Sequence, residues 1–381
     1  TCTVEMLKGA AAALRPGDPW DPATDIGPVI DEAARAEIEA YLAGWPEEAV
    51  LYRRPVPERG HFVAPTILAV AGIEAVRREV FGPVLHVARF GVGALDRVID
   101  AINARGYGLT FGLHSRIDDR VERITRRIRA GNAYVNRNQI GAVVGAQPFG
   151  GEGLSGTGPK AGGPHYLPHL RRPVPQDGAA PAGDMLGMDI LATALAGLPA
   201  PPADTADRLD RAFAAGTPQE AAVVRAAAAL VADPQDCPGP TGESNRLSHH
   251  PRGRVLVLGG GRAALRAQAL TALACGNAVL AVAENAGAAL NDLAGLGLAL
   301  ATLDGQLDPD ALSHLPDLGL VAATGPTDWL GALRRALAAR EGPIAPFETG
   351  LPVPARYVLE RHLCIDTTAA GGNASLLAAS A

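Results

Sequence analysis

One segment constrains the fold of this 381-residue chain more than any other does. Residues 255–258 are a run of valine and leucine that leads directly into the glycine triplet 259–261. An alanine-rich stretch follows, and a second apolar run covers residues 278–282. A strand, a glycine turn, a helix and another strand in this order form a βαβ unit, whose strands lie parallel in a sheet that helices cover. The second half of the chain is therefore predicted to contain an α/β layer.

The glycine triplet also fits a dinucleotide-binding pattern, because Gly259, Gly261 and Ala264 match the spacing GxGxxA between a strand and a helix. Glu284 follows the next strand, where an acid that binds a ribose is expected. In this interpretation the helix N-terminus holds a pyrophosphate. The alternative is a tight turn without a ligand, and these residues alone leave both open.

Glycine and proline divide the rest of the chain. The stretch 173–183, PVPQDGAAPAG, interrupts helix and strand alike and marks a domain boundary. Residues 236–252 are polar and proline-rich and are predicted to be a loop. The glycine-dense stretch 132–163 keeps its apolar residues, which is typical of closely packed backbone, so we expect a site there. Helices are predicted at about residues 4–14, after Asp31, around Leu191 and at 219–232.

Charge and composition exclude several classes of protein. The net charge of -6 leaves no broad basic surface for nucleic acid. Every long apolar stretch is broken before the length of about 20 residues that a bilayer span needs, so no membrane span is predicted. The four cysteines form no CxxC pair and no histidine lies at metal-ligand spacing along the chain, which favours the cytoplasm and argues against a metal site.

Four blocks in the first half carry a family resemblance. EVFGPV, GYGLTFGLHSR, GNAYVNRN and QPFGGEGLSGTGPKAGGP occupy residues 79–84, 106–116, 131–138 and 147–164. In this order and spacing they resemble the aldehyde dehydrogenase superfamily, and within it the bifunctional proline utilisation enzymes of bacteria. The resemblance covers residues 1 to about 172.

The resemblance implies an α/β fold with two domains. Residues 1–172 would form the C-terminal part of an aldehyde dehydrogenase catalytic domain, followed by the linker at 173–183. Residues 184–366 would form a degenerate, noncatalytic Rossmann-like domain related to the same family and docked on the first. Residues 367–381 would form a C-terminal motif.

The resemblance also assigns site residues. Glu79 would bond the hydroxyl groups of the nicotinamide ribose of NAD, and Phe81 would pack beside the nicotinamide. Gly141 and Ala142 would hold the substrate carboxylate with their backbone N–H groups. Phe149 would contact the aliphatic chain of the substrate.

The implied reaction is the oxidation of L-glutamate 5-semialdehyde, the open form of pyrroline-5-carboxylate, to glutamate in proline catabolism. It proceeds through a cysteine thiolate and a glutamate-activated water. No catalytic residue can be placed in this chain, and Cys2 lacks the family motif. We therefore expect an inactive fragment whose partners are the small-molecule substrate and upstream domains of the same polypeptide, including a proline dehydrogenase domain with FAD. A homodimer is compatible with this interpretation, and the alternatives are a noncatalytic docking module or a dehydrogenase of another aldehyde.

The second half resembles a degenerate copy of the family's nucleotide domain. The similar segments are ALACGNAVLAVAE, AATGPTDWLG and FETG. In this copy Val282 replaces a cofactor-binding lysine, which favours the ligand-free turn over a working dinucleotide site. Glu348 matches the general base only by its place in FETG, and Cys364 lies in a segment similar to the C-terminal motif of long proline utilisation enzymes.

Overall fold

The structure is a computed structural model that describes residues 2–171 and 178–368. Contacts divide the chain into two compact units, residues 1–105 and residues 106–381. Both units combine helices with β-sheet, which confirms the predicted α/β class. In the described part of the chain, no helix has the length and apolar character needed to cross a bilayer.

The first unit is built on a three-stranded sheet. β1 (Val50–Arg53) pairs antiparallel with β2 (Thr66–Ala69), and β2 pairs parallel with β3 (Val84–Val87). The carboxylate of Asp31 caps the second helix by accepting a hydrogen bond from the Ala34 N–H at 2.8 Å. The helices are α1 (Cys2–Ala13), α2 (Glu32–Ala43) and α3 (Leu95–Ala104), with 3₁₀ turns at Glu47–Ala49, Ile73–Ala75 and Val92–Ala94.

The second unit contains, among its described residues, two five-stranded sheets and a two-stranded ladder. Its strands are β4 (Tyr107–Gly108), β5 (Thr110–Leu113), β6 (Asn132–Val135), β7 (Glu152–Gly153), β8 (Gln235–Cys237), β9 (Glu243–Pro251), β10 (Arg254–Leu258), β11 (Ala278–Ala283), β12 (Leu300–Asp304), β13 (Leu318–Ala323), β14 (Phe347–Glu348) and β15 (Val358–Asp366). Its helices are α4 (Asp118–Arg127), α5 (Tyr166–His169), α6 (Met188–Ala196), α7 (Thr205–Ala215), α8 (Pro218–Val231), α9 (Arg262–Ala274), α10 (Ala286–Ala289), α11 (Asn291–Ala294) and α12 (Thr327–Ala338), with 3₁₀ turns at Pro309–Ser313 and Pro354–Arg356.

The first five-stranded sheet is entirely parallel and has the order β12-β11-β10-β13-β14. Counted along the chain, this is the order 3-2-1-4-5 of a doubly wound, Rossmann-like sheet. All residues of β11, and all but the first of β10, are buried, because helices cover both faces. The predicted βαβ unit is confirmed.

Alternating side chains of β10 build the two cores on either side of this sheet. Val255 and Val257 pack in the cluster that includes helices α7, α8 and α9. Leu256 and Leu258 pack in the cluster that includes helices α6 and α12. A capping box starts α8, since Thr217 and Glu220 each accept a hydrogen bond from the other's backbone N–H.

The second five-stranded sheet, in the order β5-β6-β15-β9-β8, corrects the sequence analysis. Residues 236–252 were predicted to be a loop, but the strands β8 and β9 occupy most of that stretch. The loop prediction was wrong because Asn245 and His249 are polar residues on the buried face of β9, where they alternate with more exposed positions. An inward-facing polar residue hides the period of two that normally identifies a strand.

The contact-based units differ from the domain boundary predicted at 173–183. Residues 106–171 belong to the second unit, since β5 and β6 share a sheet with β15. Residues 172–177 and 369–381 lie outside the described residues, and so do the start of the predicted linker and most of the predicted motif 367–381. The domain ranges 1–172 and 184–366 stay predictions.

Candidate functional site

Glu79 and Phe81, the predicted cofactor residues, lie in the first unit just before β3. Both side chains are exposed, and the Phe81 residue is 88% exposed. Between these two residues and β3, the chain makes a turn that lies against helix α2. A Cβ at Gly82 in this turn would lie 2.6 Å from Ile38 Cδ1. The absence of a side chain at Gly82 therefore lets the turn lie close to α2. The Glu79 carboxylate can accept hydrogen bonds from the hydroxyl groups of a ribose. The exposed Phe81 ring can pack against the aromatic ring that the ribose carries.

Gly141 and Ala142, the predicted substrate-binding residues, lie in an exposed loop of the second unit. Gly141 has a φ of +71°, a backbone conformation that glycine adopts without strain. Within the described residues, neither its N–H nor that of Ala142 donates to a protein acceptor. Two successive N–H groups without protein partners can bind an anion.

Phe149, the predicted contact to the aliphatic chain of the substrate, follows this loop and is half-buried. Its backbone forms a bridge with Ala161, in which the Phe149 N–H donates at 3.0 Å and the Ala161 N–H donates at 2.8 Å. The ring is therefore carried by a fixed backbone. The structure places Glu79 and Phe81 in one unit and Gly141, Ala142 and Phe149 in the other.

A polar network that the sequence did not predict connects the loop of Gly141 and Ala142 to β9. The Val143 N–H donates to Gln147 Oε1 at 3.3 Å, and Gln147 Nε2 donates to the carboxylate of Glu243 on β9. The Glu243 carboxylate also pairs with Arg137 at 2.8 Å. Burial opposes its charge, but hydrogen bonds from Asn245 and Gln147 and the charge of Arg137 lower the pKa of Glu243 overall. The only sequence signal was the place of Gln147 at the head of a family block.

The four cysteines are all free thiols. Burial raises the pKa of Cys275 to about 12 and that of Cys364 to about 12, and burial also raises the pKa of Cys237. These three thiols are held in the protonated form, which is the weak nucleophile. Cys2 is exposed on α1, with its sulfur 3.9 Å from the Met6 sulfur.

Glu348, which matches the family's general base only by its local motif, is engaged in an ion pair. Its two carboxylate oxygens accept hydrogen bonds from Arg356 Nη1 at 3.2 Å and 3.0 Å. Burial raises the pKa of Glu348, and Arg356 acts in the opposite direction. A buried carboxylate bound to a guanidinium has a structural role here.

The glycine triplet forms a turn at the carboxyl end of β10. Gly259 and Gly260 have φ values of +60° and +75°. A Cβ at Gly260 would lie 1.9 Å from Thr324 Oγ1, and one at Gly259 would lie 2.9 Å from the Trp329 ring. These two side chains lie against the turn, next to the crevice between β10 and β13 where a doubly wound sheet binds its ligand. Glu284 is exposed after β11.

The chain's own segment 178–186 also runs across the carboxyl edge of this sheet. A Cβ at Gly178 would lie 3.0 Å from the backbone of Gly325, and one at Gly183 would lie 3.0 Å from Gly305. Met185 forms a parallel bridge with Gln306. The edge at which a dinucleotide would bind is therefore contacted by protein backbone.

Comparison with known proteins finds a match to a family model in the first part of the chain. Residues 2–172 match the model of the aldehyde dehydrogenase family. Over 396 residues the chain is 39% identical to the bifunctional protein PutA of Escherichia coli, which covers 98% of this chain and 29% of that protein. The chain thus spans less than a third of the length of the curated relatives it matches.

A second group of relatives matches a shorter stretch of the chain. The chain is 37% identical over 168 residues to a 1-pyrroline-5-carboxylate dehydrogenase of Bacillus subtilis, which covers 43% of this chain and 32% of that protein. The solved structure of proline utilization A from Corynebacterium freiburgense covers 95% of this chain and 34% of its own, with a TM-score of 0.63 and 22% identity. At that identity the likeness establishes the fold alone.

Proposed function

We propose that this chain, whose residues 2–172 match the model of the aldehyde dehydrogenase family, is part of an NAD-dependent dehydrogenase that oxidises L-glutamate 5-semialdehyde to glutamate. The observation that carries the proposal is the pair of N–H groups without protein acceptors at Gly141 and Ala142. A carboxylate distinguishes this aldehyde from simple aldehydes, and backbone N–H groups bind carboxylates through charge-assisted hydrogen bonds. The relatives named as 1-pyrroline-5-carboxylate dehydrogenases support the same substrate.

Each site residue then has a defined task. Gly141 and Ala142 hold the substrate carboxylate, and Phe149 packs against the chain between carboxylate and aldehyde. Glu79 accepts hydrogen bonds from the hydroxyl groups of the nicotinamide ribose, and Phe81 limits the positions available to the nicotinamide ring. NAD supplies the hydride acceptor of the reaction. Because both reactants are held in fixed positions, much of the entropic cost of bringing them together is met on binding and does not add to the barrier of the chemical step.

The nucleophile and the general base belong, in this proposal, to other parts of the whole protein. Cys275 and Cys364 are protonated thiols, and Glu348 is held by Arg356. A covalent route cannot begin without a thiolate at the carbonyl carbon. The family resemblance of the sequence further implies a flavin-dependent proline dehydrogenase domain elsewhere in the whole protein.

We assign residues 184–366 a noncatalytic, structural role. The observation that favours this second function is the close packing of Thr324 and Trp329 against the glycine triplet. The alternative function for the chain as a whole is that of a dehydrogenase that acts on another aldehyde.

The experiment compares the whole protein with the isolated chain. The whole protein should form NADH from L-glutamate 5-semialdehyde and NAD, whereas residues 1–381 alone should form none. A whole protein that oxidises short uncharged aldehydes with higher kcat/KM than this substrate would contradict the substrate assignment. NADH production by the isolated chain would contradict the placement of the nucleophile elsewhere.

A further inference from the structure

The second unit holds a cluster of metal-ligating side chains away from the residues proposed for catalysis. His165 lies at the start of α5, His249 lies on β9, and Glu360 lies on β15. One ligand atom from each of the three lies within 4.8 Å of the other two. His249 and Glu360 are directly opposite each other in the antiparallel pair of β9 and β15. The sheet therefore fixes the spacing of two members.

We propose that His165, His249 and Glu360 form a binding site for a divalent transition metal ion, for which Zn²⁺ is the fitting example. Two imidazole nitrogens and a carboxylate oxygen are a common donor set for zinc. Three protein ligands leave a fourth position for water. The inference does not depend on the proposed dehydrogenase function.

The distance between the two imidazoles agrees with a shared ion. His165 Nε2 lies 3.2 Å from His249 Nε2. Two nitrogens that each lie about 2.0 to 2.1 Å from a tetrahedral zinc ion are separated by about 3.3 Å. A hydrogen bond between the two imidazoles would give the same distance. The Glu360 carboxylate therefore has to distinguish a shared metal ion from a hydrogen bond.

Glu360 provides the second, independent observation. Its residue is 7% exposed, and Oε2 accepts a hydrogen bond from the Lys160 backbone N–H at 2.6 Å. Its other oxygen, Oε1, is buried and has no hydrogen-bond partner in the described structure. A buried carboxylate oxygen without a partner is costly, and a bound cation removes that cost.

A cleft of about 820 Å³, lined by both His165 and Glu360, gives the ion a path of entry and leaves room for water.

This proposal departs from the expectation of no metal site. That expectation considered only histidine spacing along the chain. The three ligands come from separate segments, and two of them lie on strands that are neighbours in the sheet but distant in sequence. One of those strands, β9, was predicted to be a loop.

Metal binding to the chelator-stripped chain of residues 1–381 tests the proposal. We expect one equivalent of Zn²⁺ to bind in competition with a chromophoric chelator, and Co²⁺ to give the visible absorption of a four- or five-coordinate ion. His249→Gln and Glu360→Gln should each lower the affinity at least about tenfold. His250→Gln is the matched control, because His250 is on the same strand and bonds Ser248 instead. Its affinity should equal that of the wild type.

Two results would overturn the proposal. Absence of saturable binding by the wild type would show that the histidines are only hydrogen-bonded to each other. Equal Zn²⁺ affinity in the wild type and all three variants would place the ion on surface residues. If His249→Gln fails to fold, Glu360→Gln decides, since glutamine keeps the acceptor for the Lys160 N–H. Thermal unfolding with and without Zn²⁺ gives an independent readout, because an ion bound only by the folded state raises Tm.

Discussion

The carboxylate of Glu152 and the guanidinium of Arg361 form a bidentate pair between β7 and β15. Arg361 Nε donates to Glu152 Oε2 at 2.8 Å, and Arg361 Nη2 donates to Oε1 at 2.8 Å. The two residues are 209 positions apart in sequence. The pair therefore links the family-matching part of the chain to its last described strand.

Arg361→Met should destabilise the chain substantially. Glu152 is 5% exposed, so removal of its partner leaves a nearly buried carboxylate unpaired. The free energy of unfolding should fall by about 3 kcal/mol. This value is at the lower end for buried ion pairs because the Arg361 side chain is 18% exposed. Urea unfolding measures the change. Arg254→Met is the control, since its partner Asp317 has a side chain that is 77% exposed, and it should cost less than about 1 kcal/mol. Equal losses would refute this role of the pair.

Glu79→Ala in the whole protein should raise the KM for NAD without changing proline oxidation. Loss of a charged acceptor for a ribose hydroxyl costs about 1.5 to 3 kcal/mol, which corresponds to roughly a tenfold to hundredfold change. Glu74→Ala is a matched control, because Glu74 is another exposed acid of the first unit. Steady-state kinetics of both activities measure the effect. Parallel loss of the two activities would indicate misfolding and would remove the support for a cofactor role.

Ala142→Pro should impair the oxidation of L-glutamate 5-semialdehyde more than that of a short uncharged aldehyde. Proline deletes one of the two N–H groups that are proposed to hold the carboxylate. Ala142→Gly keeps this N–H and should leave the ratio of the two kcat/KM values near that of the wild type. If the proline variant loses both substrates equally at normal stability, the loop has only a structural role.

Calorimetric titration with NAD distinguishes the two interpretations of the glycine triplet. In the chain carrying Glu79→Ala, which removes the other candidate site, we expect no saturable heat. Thr324 and Trp329 pack against the triplet, and residues 178–186 lie along the edge of the sheet. Micromolar binding that Glu284→Ala abolishes would instead make this domain a working nucleotide site.

The sequence predicted the elements whose signals are local. The βαβ unit around β10 and β11 combines continuous apolar strands with a glycine turn and the helix α9. Asp31 identified the start of α2 because a capping carboxylate acts on the backbone three residues ahead. These features need no knowledge of distant residues.

The features that escaped prediction depend on partners far along the chain. β9 carries the inward-facing polar residues Asn245 and His249, and His165, the partner of His249, lies 84 positions away, so the sequence of β9 looked like a loop. For the same reason Gln147, Glu243 and the cluster of His165, His249 and Glu360 gave no local signal. The site residues at Glu79, Phe81, Gly141, Ala142 and Phe149 came from family resemblance and stay predictions.

The position of β15 has a consequence for synthesis on the ribosome. This strand lies between β6 and β9, so neither of those strands has its neighbour until residue 366 has left the exit tunnel. During that interval the nascent chain presents two unpaired strand edges, which are templates for pairing with other chains. A premature stop shortly before residue 358 would make this state permanent, and such a product should be recovered mainly in aggregates or be removed by proteolysis.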